Sequence, residues 1–188
     1  MGNPLTILGI AGSLRKASFN RAALRAAQQL APEGVRIDVS ELAGIPLYNQ
    51  DLENPAPESV VRFKAAIRAA DAILFVTPEY NYSIPGVLKN AIDWGSRPYG
   101  DSAWDGKPVA VMGASPGSVG TARAQYHLRQ TFVFLNMYPL NRPEVMISNV
   151  GDRCDTNGNL TDQETRDRIR KLVEALAVWT RQLQKART

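Results

Sequence analysis

Cysteine and histidine are nearly missing from this sequence, and so is any long apolar run. The one cysteine, Cys154, cannot close an internal disulfide, and a lone thiol fits a reducing compartment. Asp51, Glu53, Asp152 and Asp155 are loop acids without the spacing of metal ligands, so no metal is expected. No apolar stretch reaches the roughly 18 residues that a membrane helix requires. Met1 to Pro4 shows no basic segment leading into an apolar one, so no secretory signal is expected and the location is expected to be cytoplasmic. The formal charge of +4 is spread thinly. Its densest stretch, Arg166 to Lys171, includes Asp167 and reads as the solvated face of a helix. Nucleic acid is therefore not an expected partner.

What is present is an ordinary soluble composition. With 188 residues the chain is expected to form a single domain over 1–188, burying roughly 70% of the surface its unfolded form would expose. Short apolar runs alternate with helical spacing. The runs are Thr6–Ala11, Ala72–Thr77 and Pro108–Gly113, with Val35–Val39 alternating at period two as an edge strand does and Glu144–Ser148 as the last strand. Helices are expected over Phe19–Leu30, Glu58–Ala70, Gly86–Trp94, Thr121–Leu135 and Asp162–Gln184, the last capped at Thr161 or Asp162. Five strands alternating with helices imply a parallel sheet covered on both faces, a three-layer α/β/α sandwich. Such sheets bind ligands at the carboxyl ends of their strands. The loops there carry this sequence's unusual residues.

The first of them, Gly12 to Asn20, brings together the hydroxyls of Ser13 and Ser18, the Asn20 amide, the guanidinium of Arg15 and the unpaired N–H groups of a helix start. Each is a donor suited to phosphate. No lysine follows a glycine with a hydroxyl residue after it, because Gly106-Lys107 runs into Pro108. The G-x-G-x-x-G spacing is missing as well. A single terminal phosphate, as in a mononucleotide, suits the loop better than a pyrophosphate. The second loop, Thr77 to Gly86, is stiffened by Pro78 and Pro85 and offers the flat faces of Tyr80 and Tyr82. Backbone N–H groups of Glu79 to Asn81 and the Asn81 amide are placed to meet ring nitrogens and carbonyls. The third, Ser115 to Thr121, is rich in small residues that let backbone approach a ligand.

Two of these segments resemble a known family. Gly12-Ser13-x-Arg15-x-x-Ser18-x-Asn20 and Pro78-Glu79-Tyr80-Asn81-Tyr82-Ser83-x-Pro85-Gly86-x-Leu88-Lys89-Asn90-x-Ile92-Asp93-Trp94 are similar to the motifs of NADPH-dependent FMN reductases, most of all the bacterial quinone, chromate and azo-dye reductases. The likeness extends over roughly residues 5 to 135 and is looser beyond. It implies a flavodoxin-like fold with strand order 2-1-3-4-5 and non-covalent FMN. By it the phosphate falls to Ser13, Arg15, Ser18, Phe19 (through its backbone) and Asn20. The isoalloxazine falls to Pro78, Glu79, Tyr80 and Asn81, and the ring edge to Ser115 and Gly117. Family members often carry glycine where Ser118 stands. The resemblance further implies a homodimer or a dimer of dimers, with the flavin near the subunit interface.

The chemistry expected is hydride transfer from NADPH or NADH to flavin, then two electrons to a small acceptor such as a quinone, free flavin, an azo dye or a metal oxyanion like chromate. The cofactor carries that chemistry, so no catalytic dyad is expected. His127 is expected to be structural or at an interface, and Cys154 to be unreactive. Trp94 and Trp104 are expected at an interface, with the acceptor pocket as the alternative. Two other readings stay open: a flavodoxin-type electron carrier, against which the basic charge speaks, and an FMN-binding sensor module.

Overall fold

The computed structural model describes residues 4–186. It realises the expected alternation as β1 (Leu5–Ala11), α1 (Phe19–Gln29), β2 (Val35–Ser40), α2 (Glu58–Ala69), β3 (Ala72–Val76), α3 (Gly86–Gly95), β4 (Pro108–Ala114), α4 (Ala122–Phe134), β5 (Tyr138–Pro139), β6 (Val145–Ile147) and α5 (Gln163–Lys185). All strand pairs are parallel, in the order β2-β1-β3-β4-β5, with β6 also on β4. Expected and observed boundaries differ by one or two residues, as helix and strand ends do.

The central strands explain the layers. Every residue of β3 and β4 is buried, and their side chains alternate between two cores. Ile7, Leu74, Val76, Ala110 and Met112 point to the side covered by α1 and α5. Leu8, Ile10, Ile73, Phe75, Val109 and Val111 point to the other, where Phe63, Leu88, Leu128 and Phe132 of α2, α3 and α4 meet them. A strand buried on both faces reads as a continuous apolar run. On β2 only Ile37 is buried, and Arg36 pairs with Asp38 at 3.0 Å on its outer surface, which discourages further strand pairing at this edge.

The opposite edge departs from the expectation of a single last strand. Tyr138–Pro139 pairs with Pro108–Val109, and Val145–Ile147 pairs with Met112–Ala114. Residues 140–144 bulge out between them, beside only Ala110 and Val111 of β4. Pro139 and Pro143 lack N–H groups, and proline is tolerated in a sheet only at such an edge. The two tryptophans also depart from expectation. Trp94 and Trp104 lie at 1% and 0% exposure, so both are core residues rather than part of an exposed face. Their indole N–H groups donate to Pro46 O at 2.8 Å and Ile92 O at 2.9 Å.

Two carboxylates outside the sheet link stability to pH. Asp101 accepts from buried Lys64 at 2.8 Å and from Arg68 at 2.6 Å, which together hold its carboxyl below the ordinary value of 3.8. Asp162 caps α5, and the Thr165 hydroxyl and N–H, then Arg153, hold its carboxyl below 3.8 as well. Because folding depresses both values, their contribution is complete above about pH 4 and is lost as pH falls through the folded values. Thermal unfolding followed between pH 6 and pH 3 is expected to fall less steeply for Asp101→Asn than for the wild type. Parallel curves would contradict this. The effect is small, since Asp101 is half exposed and screened.

Candidate flavin site

The carboxyl ends of β1, β3 and β4 lie side by side, with Ala11 opposite Val76 and Val76 opposite Met112. The three loops singled out in the sequence leave from these ends. They are fastened to one another closely. Gly12 N donates to Val76 O at 2.9 Å, and a Cβ on Gly12 would sit 3.3 Å from Pro78 Cδ. A Cβ on Gly113 would lie 2.2 Å from Thr77 O and 2.1 Å from Thr121 Oγ1, so only glycine lets the second and third loops come this near.

In the first loop Ser13 and Ser18 are 6% and 5% exposed. Ser13 Oγ accepts from Arg15 N at 3.3 Å, and Ser18, the N-cap of α1, accepts from Arg21 N at 3.5 Å. Each hydroxyl thus uses a lone pair and keeps its proton for an incoming acceptor. The N–H groups of Phe19 and Asn20 begin α1 and have no intrahelical partner. The first turn of α1 holds no acid, so the positive end of its dipole is uncompensated. Arg15 is exposed, its guanidinium 5.4 Å from the centre of the Phe19 ring. This donor set fits one phosphate.

The Asn20 side chain has a different job from the one its motif implied. Its Nδ2 donates to Ala114 O at 2.9 Å and its Oδ1 accepts from Ala114 N at 2.8 Å, with the residue 3% exposed. The amide ties α1 to the end of β4, which leaves one Nδ2 hydrogen and the Asn20 backbone N–H uncommitted.

In the second loop Tyr80 and Ser83 exchange backbone hydrogen bonds of 2.9 Å around Asn81 and Tyr82, at φ 50° and 67°. Two successive left-handed residues make a type I′ turn, in which asparagine is at ease and tyrosine is not. Tyr82 is held there by Arg123, whose guanidinium lies 3.8 Å from its ring centre. The Tyr80 N–H is consumed by this turn, whereas those of Glu79 and Asn81 meet no acceptor among the described residues. In the third loop Gly117 N donates to Ser115 Oγ at 3.1 Å. Asn149 N and Val150 N hold the same loop from behind, through Gly117 O and Ser115 O. The Ser118 and Val119 N–H groups have no partner among the described residues, and nothing but Ser115 Oγ approaches the outer side of Gly117. This is an open cradle of backbone donors suited to a flat heterocycle.

Some of what holds the cradle has no signal in the sequence. Glu79, Arg123, Tyr82, Ser83 and His127 form one connected group, with Ser83 Oγ 2.7 Å from His127 Nδ1. Asn90 of the long motif pins the chain after β2, accepting from Tyr48 N at 2.7 Å and donating to Pro46 O at 2.8 Å. Cys154 is half-buried, and that burial, with Asp155 next, pushes its thiol upward, away from the reactive thiolate. No three metal-ligating side chains gather among the described residues. Cavities of about 210 to 340 Å³ lie elsewhere, between α2 and the 97–101 segment and between α1 and β2. The loop site is an open surface whose rim exposes Leu14, Tyr80, Tyr82 and Val119.

A parallel sheet of this order, covered by helices on both faces and with donor-rich loops at the ends of its first, third and fourth strands, defines a flavodoxin-like protein. The model of the NADPH-dependent FMN reductase family matches residues 5–152, and the chain belongs to that family. It is 54% identical over 184 residues to an NAD(P)H-dependent FMN reductase of Pseudomonas aeruginosa, covering 97% of this chain and 99% of that protein. It is 45% identical to a 2-hydroxy-1,4-benzoquinone reductase of a Burkholderia species, covering 94% and 97%. Among solved structures it is similar to FerB, a flavoenzyme NAD(P)H:(acceptor) oxidoreductase from Paracoccus denitrificans, with a TM-score of 0.87 and 39% identity over 95% of this chain and 98% of that one.

Proposed function

We infer that the chain is an NAD(P)H-dependent oxidoreductase that binds FMN non-covalently across the three loops. The observation that carries this is the pairing of a saturable phosphate nest at α1 with an open backbone cradle one strand-width away. When bound, FMN supplies the hydride acceptor for the nicotinamide and the electron donor for the second substrate. The chain's own residues bind and orient. Ser13, Ser18, Arg15 and the Phe19 and Asn20 N–H groups hold the phosphate. An exposed anion at such a helix start gains about 0.3–1 kcal/mol from the dipole alone. Pro78 to Asn81 and the Ser115–Val119 backbone would hold the ring, and their free N–H donors would favour its electron-rich reduced form. No side chain has to move a proton, and Glu79 and Asp93 are engaged by Arg123 and Lys89.

The open surface above the loops leaves room for one flat substrate after another, which supports ping-pong turnover and a broad acceptor class: quinones, free flavin, azo dyes and oxyanions such as chromate. The exposed tyrosines on the rim support the homodimer, or dimer of dimers, that the family resemblance implies. A cytoplasmic location rests on the sequence reading alone, and no helix among the described residues is long and apolar enough to cross a membrane. The visible spectrum of the protein with added FMN, taken before and after anaerobic NADPH, tests the inference. The flavin bands are expected to bleach with NADPH and return with a quinone. A bound flavin that NADPH cannot bleach would point to a carrier or sensor, and absence of binding would overturn the reading of all three loops.

A further inference from the structure

Helix α4 begins without a cap of its own. Thr121 occupies the N-cap position, yet its side chain makes no capping bond and instead accepts from Gln125 Nε2 at 3.0 Å. The first turn of α4 contains no acid. Both deficits are met from another loop. Glu79 Oε2 accepts from Arg123 N at 3.1 Å and Ala124 N at 3.2 Å, the second and third N–H groups that a capping side chain normally satisfies. Its Oε1 accepts from Arg123 Nε at 2.5 Å, and the carboxylate is 9% exposed. Arg123 then sits over the Tyr82 ring, and Ser83 meets His127 one helical turn further along.

The two segments joined in this way form the two sides of the flavin cradle. Pro78 and Glu79 lead into the I′ turn of Tyr80 to Ser83, and Ser115 to Gly120 lead directly into α4. We propose that Glu79 is a positioning residue for the flavin: by capping α4 across the cradle, its carboxylate fixes the separation of the two ring-binding loops. That separation sets the affinity for the ring, and the Glu79–Arg123 pair sets the charge it experiences. The proposal rests on the FMN reading above. A cap contributed from 44 residues away serves folding no better than a local Ser or Asp at position 121 would. Its distinct consequence is that neither loop can shift without the other.

Charge gives the test its sign. Removing the carboxylate leaves Arg123 and the positive end of α4 uncompensated beside the ring, which favours the electron-rich reduced flavin. Removing Arg123 does the reverse. In the holoenzyme, Glu79→Gln is expected to move the midpoint potential of the bound flavin in the positive direction and Arg123→Ala in the negative direction. Glu79→Ala is expected to weaken FMN about tenfold, equivalent to about 1.4 kcal/mol and within the range for a lost cap. Glu79→Gln still accepts the two α4 N–H groups and should recover part of that loss. FMN release is read by fluorescence on ultrafiltration and the potential by anaerobic dye titration. Should Glu79→Ala fail to fold, the two charge variants still decide, since each leaves the backbone as it is. A purely structural cap would lower the melting temperature and leave the potential and FMN retention as in the wild type, and that outcome overturns the proposal. So do shifts of the same sign in the two charge variants. A wild type that retains no FMN would instead remove the reading on which the proposal stands.

Discussion

Replacing Asn20 by leucine is expected to destabilise the protein by about 2–6 kcal/mol and to abolish FMN retention, although leucine has nearly the same shape. The cost arises at Ala114, 94 residues away, whose N–H and C=O both depend on the Asn20 amide inside the molecule. Leucine leaves a buried donor and a buried acceptor unpaired, at about 1–3 kcal/mol each. For a chain of this size each kcal/mol lowers the melting temperature by roughly 2–4 °C, so a drop of about 4–24 °C is expected. Asn20→Asp discriminates further. Its carboxylate still accepts from Ala114 N but meets Ala114 O lone pair to lone pair, so it should recover half the bonding and add repulsion. Thermal unfolding alongside FMN titration checks both variants. A leucine variant that melts like the wild type and keeps its flavin would show that water replaces the amide.

Gly113→Val is expected to be the more damaging change, costing 3 kcal/mol or more, at the upper end of about 1–3 kcal/mol typical for overpacking. The Thr121 hydroxyl can rotate out of the way of a new Cβ, whereas Thr77 O, 2.2 Å from it, belongs to the backbone that leads into Pro78. The end of β4 must then separate from β3, or the second loop must rise. Either movement opens the place where all three loops meet. Alanine alone brings the same Cβ, so Gly113→Ala should already release FMN and shift the urea midpoint by a measurable amount. Gly117→Ala provides the contrast, since only Ser115 Oγ lies near the added methyl, at 3.5 Å. It should fold normally, and any loss of FMN there would come from the methyl meeting the ligand itself. If Gly113→Ala keeps both its midpoint and its flavin, the close approach of the loops is not required.

What was legible along the chain follows from how local its causes are. The runs at β1, β3 and β4 are buried on both faces, so their apolar character is continuous and the sheet can be read directly. The first loop stands out along the chain because hydroxyls, an arginine and a helix start gather within nine residues, and the structure shows Ser13 and Ser18 with hydroxyl protons to give. The last strand was less so. Two prolines and a five-residue bulge break its pattern, and only pairing with β4 reveals Tyr138–Pro139 as part of the sheet.

Assignments that rest on distant partners had no local signature. Glu79 looked like a loop acid whose backbone faces a ligand, and its side chain proves to be the cap of α4. Asn20 carries the family motif, yet its amide serves β4. Trp94 and Trp104, bracketing a loop, had the look of surface aromatics and are core. The sequence by itself determined the alternation of elements, the class of the fold and the three donor-rich loops at the strand ends, because periodicity, turn chemistry and helix starts act over a few residues. The tertiary structure alone decided which side chains hold the loops in place and which polar groups are left over, because a polar atom's partner is chosen by burial and proximity, and both are set only once the sheet has brought distant segments together.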